Sequence, residues 1–373
     1  MRAVAIIGCG FVADLYMRSL RTFPDIAISC AWDIDSARLA AFCAQWKLDP
    51  ARSREDLLER LPKGGVVLNL TNPAAHHEVS AACLDHDHHV YSEKPLAIDL
   101  DQARDLCERA AKAGLLLASA PCSVLGEAAQ VLARAVRERV AGTPRLVYAE
   151  LDDGFIPQAP YRDWSSDSGA PWPYRDEFAS GCTLEHAGYY LTWLIAMFGP
   201  VTRLTAAAAE ILPEKEGGPY RTPDFSSAVL FFGDGPVARL TCSIVAPHDH
   251  RLRVIGDDGV LSVARAWDNG APVRHARRLR LRRRLLEHPW PRRLKPRGGT
   301  HPKVGRWGAA SMNFALGPAE MLDALAENRP CRLSADFALH LTEVTLAIQD
   351  AGPEGASRTM TTTCARPEPM PWA

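Results

Sequence analysis

The chain has 373 residues, 47% of them hydrophobic and 23% charged, which is enough apolar material for more than one core and suggests two domains. Its 43 basic and 44 acidic side chains leave a formal charge of −1, so no global field recruits nucleic acid or a membrane surface. The start "MRAVAIIGCGFVADL" has too short an apolar run for a signal peptide, no stretch approaches a membrane span, and ten scattered cysteines lack C-x-x-C spacing; a cytoplasmic protein with reduced thiols and no zinc ribbon is expected.

Apolar runs of strand length occur at residues 3–7, 26–32, 66–70, 90–92 and 115–118, with helical spacing between them. Asp99 can cap a helix reaching about residue 113, with Gln102 at the capping-box position. This alternation predicts a doubly wound parallel sheet, a Rossmann domain over 1–122, whose ligands lie beyond the carboxyl ends of the strands. The rhythm then changes. A helix over 127–140 leads to a strand at 146–151, then to a Pro- and Trp-rich loop over 156–178, then to a helix over 183–197. Alternating runs at 228–232, 238–243, 252–255 and 260–263 suit an open, largely antiparallel sheet with helices on one face. The expectation is an α+β domain for substrate binding and oligomerisation over 123–352, and an extended tail over 353–373.

"GCGFVA" at 8–13 follows the first strand and opens the first helix. Gly8 permits the tight turn, Gly10 lets the backbone approach a pyrophosphate, and Phe11 and Val12 begin the helix whose N-terminus receives it. Asp33 ends the next strand, 23 positions after Gly10. A carboxylate there accepts hydrogen bonds from both ribose hydroxyls of NAD and repels a 2′-phosphate, so NAD is favoured over NADP.

In "VYSEKPLA" (90–97) an apolar strand ends in Glu93 and Lys94 and is stopped by Pro95. A charged pair at the tip of a buried strand is costly unless paired or used. "TNPAAH" (71–76) follows the preceding strand. Together with the glycine loop, at these distances, these motifs resemble the Gfo/Idh/MocA oxidoreductase family (glucose–fructose oxidoreductase, inositol dehydrogenase, MocA), and the resemblance covers nearly the whole chain. It implies a cofactor crevice lined by Thr71, Asn72, His76, Glu93 and Lys94, and a second domain whose open sheet often forms a dimer interface. Substrates that are sugars, cyclitols or related polyols are implied as well. Lys94 would hydrogen-bond the reacting oxygen and stabilise its developing charge, oriented by Glu93.

"GCTLEHAGYYLTWL" (181–194) occupies the place of the family's G-x-x-x-D-x-G-x-H helix. Glu185 falls on the Asp and Tyr189 on the His, four positions apart and so on one helix face. Tyrosine at that position also occurs in branches of the family. A phenol beside an ammonium can have a lowered pKa and relay the proton; His186 as the base, with Tyr189 merely packing, stays open. Tyr190, Leu191 and Leu194 read as core. The arginine that many members carry after the strand near 115–118 is missing from "PCSVLGEAAQ".

His86, His88 and His89 read as a surface turn, and no metal site is expected. His248 and His250 share one face of a strand and could touch substrate hydroxyls. Tyr161, Arg162, Asp163, Trp164, Trp172 and Arg175 are candidates for a sugar platform, with Arg175 foremost. The stretch 274–297 holds 11 Lys or Arg against Glu287 alone. It reads as a half-exposed strand that contacts a subunit or steers an anionic substrate, not as a nucleic-acid site.

The expected activity is NAD-dependent hydride transfer at a hydroxyl or keto carbon, with Lys94 and Tyr189 handling the proton and Glu185 beside them. Two alternatives stand: a redox-neutral epimerase or sugar-bond-cleaving enzyme with tightly bound NAD, and a non-catalytic NAD-responsive regulator. A homodimer or homotetramer through the second sheet is the expected assembly.

Overall fold

The computed structural model describes residues 2–215, 221–306 and 308–373. Its first sheet is parallel, in the order β2-β1-β3-β4-β5. The strands are β1 (Arg2–Ile7), β2 (Ile26–Trp32), β3 (Val66–Asn69), β4 (His89–Ser92) and β5 (Leu117–Ser119). β3, β4 and β5 are buried throughout, as a parallel sheet covered on both faces demands. The helices between them are α1 (Phe11–Leu20), α2 (Ser36–Trp46), α3 (Arg54–Arg60), α4 (His76–Asp85) and α5 (Leu100–Ala113). Asp99 caps α5 by accepting the Gln102 N–H at 2.8 Å, as its position predicts.

Among the described residues the second sheet has eleven strands. They are β6 (Pro144–Phe155), β7 (Arg203–Ala209), β8 (Phe225–Phe231), β9 (Val237–Ser243), β10 (Val245–Asp249), β11 (Leu252–Gly256), β12 (Gly259–Val263), β13 (Val273–Leu281), β14 (Arg284–Glu287), β15 (Arg292–Leu294) and β16 (Ala356–Thr359). All pairings are antiparallel except β6 with β9. One face is covered by α6 (Glu127–Arg137), α8 (Cys182–Phe198) and α10 (Ala335–Gln349). Strands β7, β8 and β9 alternate buried with less buried positions; the other face leaves Leu146 and Val229 exposed.

Several elements differ from the sequence reading. The loop over 156–178 runs into a further helix, α7 (Tyr174–Ser180), and the tail contributes β16 at the sheet edge. α9 (Leu316–Glu327) and α10 fill a stretch to which the sequence reading gave no element. α9 packs against β4 and β5, and α10 against α5, α8 and β5, so both helices touch the parallel-sheet unit. The basic strand is not half-exposed: 278–281 is exposed on both faces, because β13 leaves the sheet there to form a hairpin with β14. His88 and His89 are not on the surface. Both are buried, His88 Nε2 lying 2.9 Å from the Leu58 carbonyl and His89 Nδ1 accepting the Leu116 N–H. All ten cysteines are free thiols. No helix among the described residues is long and apolar enough to cross a membrane.

Candidate active site

The carboxyl ends of the parallel strands open onto one continuous cavity of about 2250 Å³, larger than the roughly 300–1,000 Å³ of a single small-molecule site. Gly8 has φ +96°, and a Cβ there would lie 2.6 Å from the Leu70 backbone, so only glycine fits. A Cβ on Gly10 would meet nothing within 4 Å, which leaves the backbone at the α1 N-terminus open to a ligand. The Asp33 carboxylate accepts the Cys9 N–H at 2.7 Å and the Asp35 N–H at 2.8 Å. Arg38, which sequence reasoning passed over, brings its Nε to 3.8 Å from Asp33 Oδ1. The turn carrying Thr71 and Asn72 is set by buried Asn69, which accepts from Thr71 Oγ1 at 2.7 Å and donates to the His76 carbonyl at 3.0 Å. Gly8, Gly10, Phe11, Val12, Asp33, Thr71, Asn72, Glu93 and Lys94 all line the cavity. His76 does not. It is fully buried, with Nδ1 2.6 Å from the Pro95 carbonyl and Nε2 3.0 Å from that of Thr71, and so ties two loops together instead of facing the cofactor crevice.

Lys94 lies at the turn after β4, where the Lys94–Pro95 peptide is cis. Glu93 points the other way. Its carboxylate accepts from the Tyr16 hydroxyl at 2.6 Å and from the Lys94 backbone N–H at 3.0 Å, so it positions the lysine through the main chain. Burial pushes the Glu93 carboxyl up, against the pull of Lys94. The Lys94 ammonium pairs with Glu185, on the first turn of α8. Burial disfavours the ammonium most strongly, yet the acidic groups round it, Glu185 foremost with Glu177, Tyr189 and Glu93, together outweigh it and hold Lys94 well above the usual lysine range.

Glu177, on α7, is the residue sequence reasoning missed. It meets Glu185 only because the chain reverses at Gly181 (φ +86°), the junction of α7 and α8. Burial and the Glu185 charge drive the Glu177 carboxyl well up, while burial of Glu185 is outweighed by Lys94 and the Glu177 hydrogen bond together, which hold that carboxyl down. The pair therefore shares one proton beside the ammonium. A folded pKa above the unfolded one favours the folded state below the unfolded value, and this contribution is lost as pH rises through the folded pKa. Glu177→Gln keeps the hydrogen bond without the titration. Its Tm should exceed that of the wild type at pH 8 by a few degrees, about what 1 kcal/mol is worth in domains of 150–250 residues, and the gain should shrink towards pH 5. An equal gain at both pH values would mean that Glu177 is ionised throughout.

Tyr189 lies on the Glu185 face of α8 and lines the cavity. Its ring stacks on Trp267 with centroids 4.5 Å apart. The expected lowering of its pKa is not found: burial pushes the phenol up, and Lys94 only partly offsets this. Tyr190, Leu191 and Leu194 are core, as expected. His186 also lines the cavity, its Nε2 3.4 Å from Asp153 Oδ2. His248 and His250 approach the other oxygen of Asp153, at 3.6 and 3.3 Å, and Trp267 stacks on His250 at 5.0 Å. Asp153 and Trp267 had no signal in the sequence, because they come from separate strands and loops that only the sheet brings together.

Of the loop candidates, Trp164, Trp172 and Arg175 line the cavity; Tyr161, Arg162 and Asp163 are not among its lining residues. Tyr161 is buried against Trp172, Tyr174 and Phe178, with centroids 5.3–6.0 Å apart. These rings pack on one another as a wall before they offer a face to a ligand.

Residues 2–120 match a family described as "Oxidoreductase family, NAD-binding Rossmann fold", and residues 129–262 match the "GFO/IDH/MocA C-terminal domain". Myo-inositol 2-dehydrogenase of Thermotoga maritima is 22% identical over 258 residues, 69% of this chain and 73% of that protein. D-apiose dehydrogenase of Paraburkholderia graminis is 25% identical over 279 residues, covering 70% and 67%. Among solved structures, a levoglucosan dehydrogenase in complex with NADH and levoglucosan shares the fold with a TM-score of 0.77 at 14% identity, over 97% of this chain and 100% of that one. The WlbA dehydrogenase from Bordetella pertussis, in complex with NADH and UDP-GlcNAcA, aligns with a TM-score of 0.69 at 15% identity, covering 96% and 98%.

Proposed function

The chain belongs to the Gfo/Idh/MocA oxidoreductase family, and from that premise we propose that it is an NAD-dependent dehydrogenase or reductase of a sugar, cyclitol or related polyol. One observation supports the reading: the paired Lys94 and Glu185, with Tyr189, line the same single cavity as Gly10 and Asp33 and as Trp172, Arg175 and Trp267. The cofactor fits this chain because the open side of Gly10 and the α1 N-terminus suit a pyrophosphate, and the Asp33 carboxylate suits a ribose diol. When bound, the nicotinamide supplies the hydride acceptor or donor. Asp33 disfavours a 2′-phosphate, so NAD should be used over NADP.

Lys94 has three N–H donors, of which Glu185 takes one, leaving donors for the reacting oxygen of the substrate. The ammonium stabilises negative charge as it develops there. Tyr189 is the neutral donor that passes the proton, and Trp267 fixes its ring. Both groups rest protonated, which suits delivery of a proton to a carbonyl. In the reverse direction the carbinol proton must be accepted, so alcohol oxidation should accelerate as pH rises. A second copy would bury the uncovered face of the large sheet.

The test is mass spectrometry of the purified protein for retained cofactor, followed by a polyol screen that reads NADH formation and its pH dependence. Net NADH with a polyol, at a rate at least about ten-fold above that with NADP⁺ and rising towards alkaline pH, is the expected result. Retained cofactor with substrate turnover and no net NADH would replace this reading with a redox-neutral one.

A further inference from the structure

We propose that Asp153, His248 and His250 form a binding site for one divalent transition-metal ion in the substrate half of the cavity. The sequence predicts no metal, since His86, His88 and His89 read as a surface turn without convergent ligands and His248 and His250 as a strand-face pair. The three residues proposed here offer one ligand atom each, all within 4.8 Å of one another. Asp153 Oδ1 is 3.6 Å from His248 Nδ1 and 3.3 Å from His250 Nε2. Ligands held about 2.0–2.2 Å from a metal in tetrahedral or octahedral geometry stand roughly 3.0–3.5 Å apart, so the two edges from Asp153 already fit an ion, and the two imidazole nitrogens, within 4.8 Å of each other, close on it by side-chain rotation.

The local fold explains how the trio arises. β10 pairs with β6 so that Ala246 faces Gly154 and Asp249 faces Asp152, with a register shift between them. Two residues of β10 therefore oppose one residue of β6, which is Asp153. Such a bulge re-aims side chains, and bulges are enriched beside active sites. It brings His248 and His250 round one carboxylate. Gly154 has φ +82°, a left-handed backbone that favours glycine, and lies directly against the His248 ring. Trp267 holds the plane of the His250 ring by stacking.

A second observation separates this group from an ordinary cluster of paired side chains. His250 Nε2 is buried, and its one polar neighbour is Asp153 Oδ1 at 3.3 Å, without the geometry of a good hydrogen bond. A buried nitrogen that is poorly satisfied costs free energy, and a metal ion between it and the carboxylate would satisfy both. His186 approaches the carboxylate from its other oxygen, Oδ2, which leaves Oδ1 to the two histidines and matches the supporting contacts that ligating carboxylates usually have.

Two imidazoles and one carboxylate select Zn²⁺, Mn²⁺, Fe²⁺, Co²⁺ or Ni²⁺ over Mg²⁺ or Ca²⁺, and three protein ligands leave coordination positions open. All three residues line the cavity, and the His248 side chain is 66% exposed, so an ion can enter. The open positions would take a vicinal hydroxyl pair, or a hydroxyl and a carboxylate, of the bound molecule. That last step rests on the polyol reading; metal binding itself does not.

The experiment uses the full chain, stripped with chelator, titrated with Co²⁺ and followed by its visible absorption and by equilibrium dialysis, in the absence of any substrate. One equivalent of Co²⁺ should bind, be displaced by Zn²⁺, and lose affinity by more than the roughly 10–100-fold that supporting-residue changes cost in Asp153→Asn, His250→Ala and His248→Ala. The exposed His248 makes the last variant safe for folding, and an unchanged NAD⁺-induced Tm shift certifies each protein. Absence of Co²⁺ binding by the wild type, or undiminished binding by the His248→Ala and His250→Ala variants, overturns the proposal. Either outcome leaves the dehydrogenase reading untouched, because that reading is scored by NADH.

Discussion

Lys94→Met lowers kcat/KM for the polyol by about 10²–10⁴-fold, the usual range for a positioned acid–base group and equal to roughly 2.7–5.5 kcal/mol of barrier. Methionine keeps the length of the side chain and removes its charge and donors. It also leaves Glu185, whose side chain is only 4% exposed, without its cation. Breaking one half of a buried pair destabilises by about 3–5 kcal/mol, so the single variant alone would confuse a chemical loss with a folding loss. Lys94→Met combined with Glu185→Gln separates them, since no uncompensated charge remains. The double variant should recover most of the lost Tm and none of the lost turnover. Binding of NAD⁺ should stay within a few-fold of wild type, because Gly8, Gly10 and Asp33 are untouched. Wild-type turnover in either variant would remove the ammonium from the reaction.

The first unit was readable because each strand of a parallel sheet is a continuous apolar run. The run at 26–32 coincides with β2, Ile26–Trp32, and the other four fall within about two residues of observed strands. α9 and α10 escaped for the opposite reason. α10 packs between the two sheets and α9 against β4 and β5: α9 buries Leu316, Met321 and Leu322 together with Glu320, and α10 buries His340, Thr342 and Glu343 beside its apolar residues. A helix buried on several sides loses the one-sided pattern that reveals it.

The site divides along the same line. The glycine loop and the Glu93–Lys94 turn are local, so their spacing in sequence carries their geometry. Glu177 reaches Glu185 through a reversal at one glycine, and Asp153 reaches His250 through a bulge between strands about 100 residues apart in the chain. His76 shows the converse. It belongs to a local motif, yet burial turned it into a brace between Thr71 and Pro95, and no one-dimensional spacing distinguishes a ligand from a brace.

Tyr189→Phe should cost about 10²-fold or more in kcat with KM within a few-fold, since it removes one hydroxyl from the proton path and leaves the ring. Phenylalanine can keep the stack on Trp267, so the wall of the cavity should hold its shape and the Tm should move little. His186→Asn is the matched control, because that side chain touches Asp153 and the Cys182 carbonyl rather than Lys94. It should cost less than about ten-fold on the same scale. The pH profile decides between the two groups independently of these magnitudes. Burial raises the Tyr189 phenol, so a tyrosine donor stays protonated through neutral pH and carbonyl reduction should hold steady there. A steep decline of carbonyl reduction with pH that survives Tyr189→Phe and disappears in His186→Asn would transfer the proton step from the phenol to the imidazole next to Glu185.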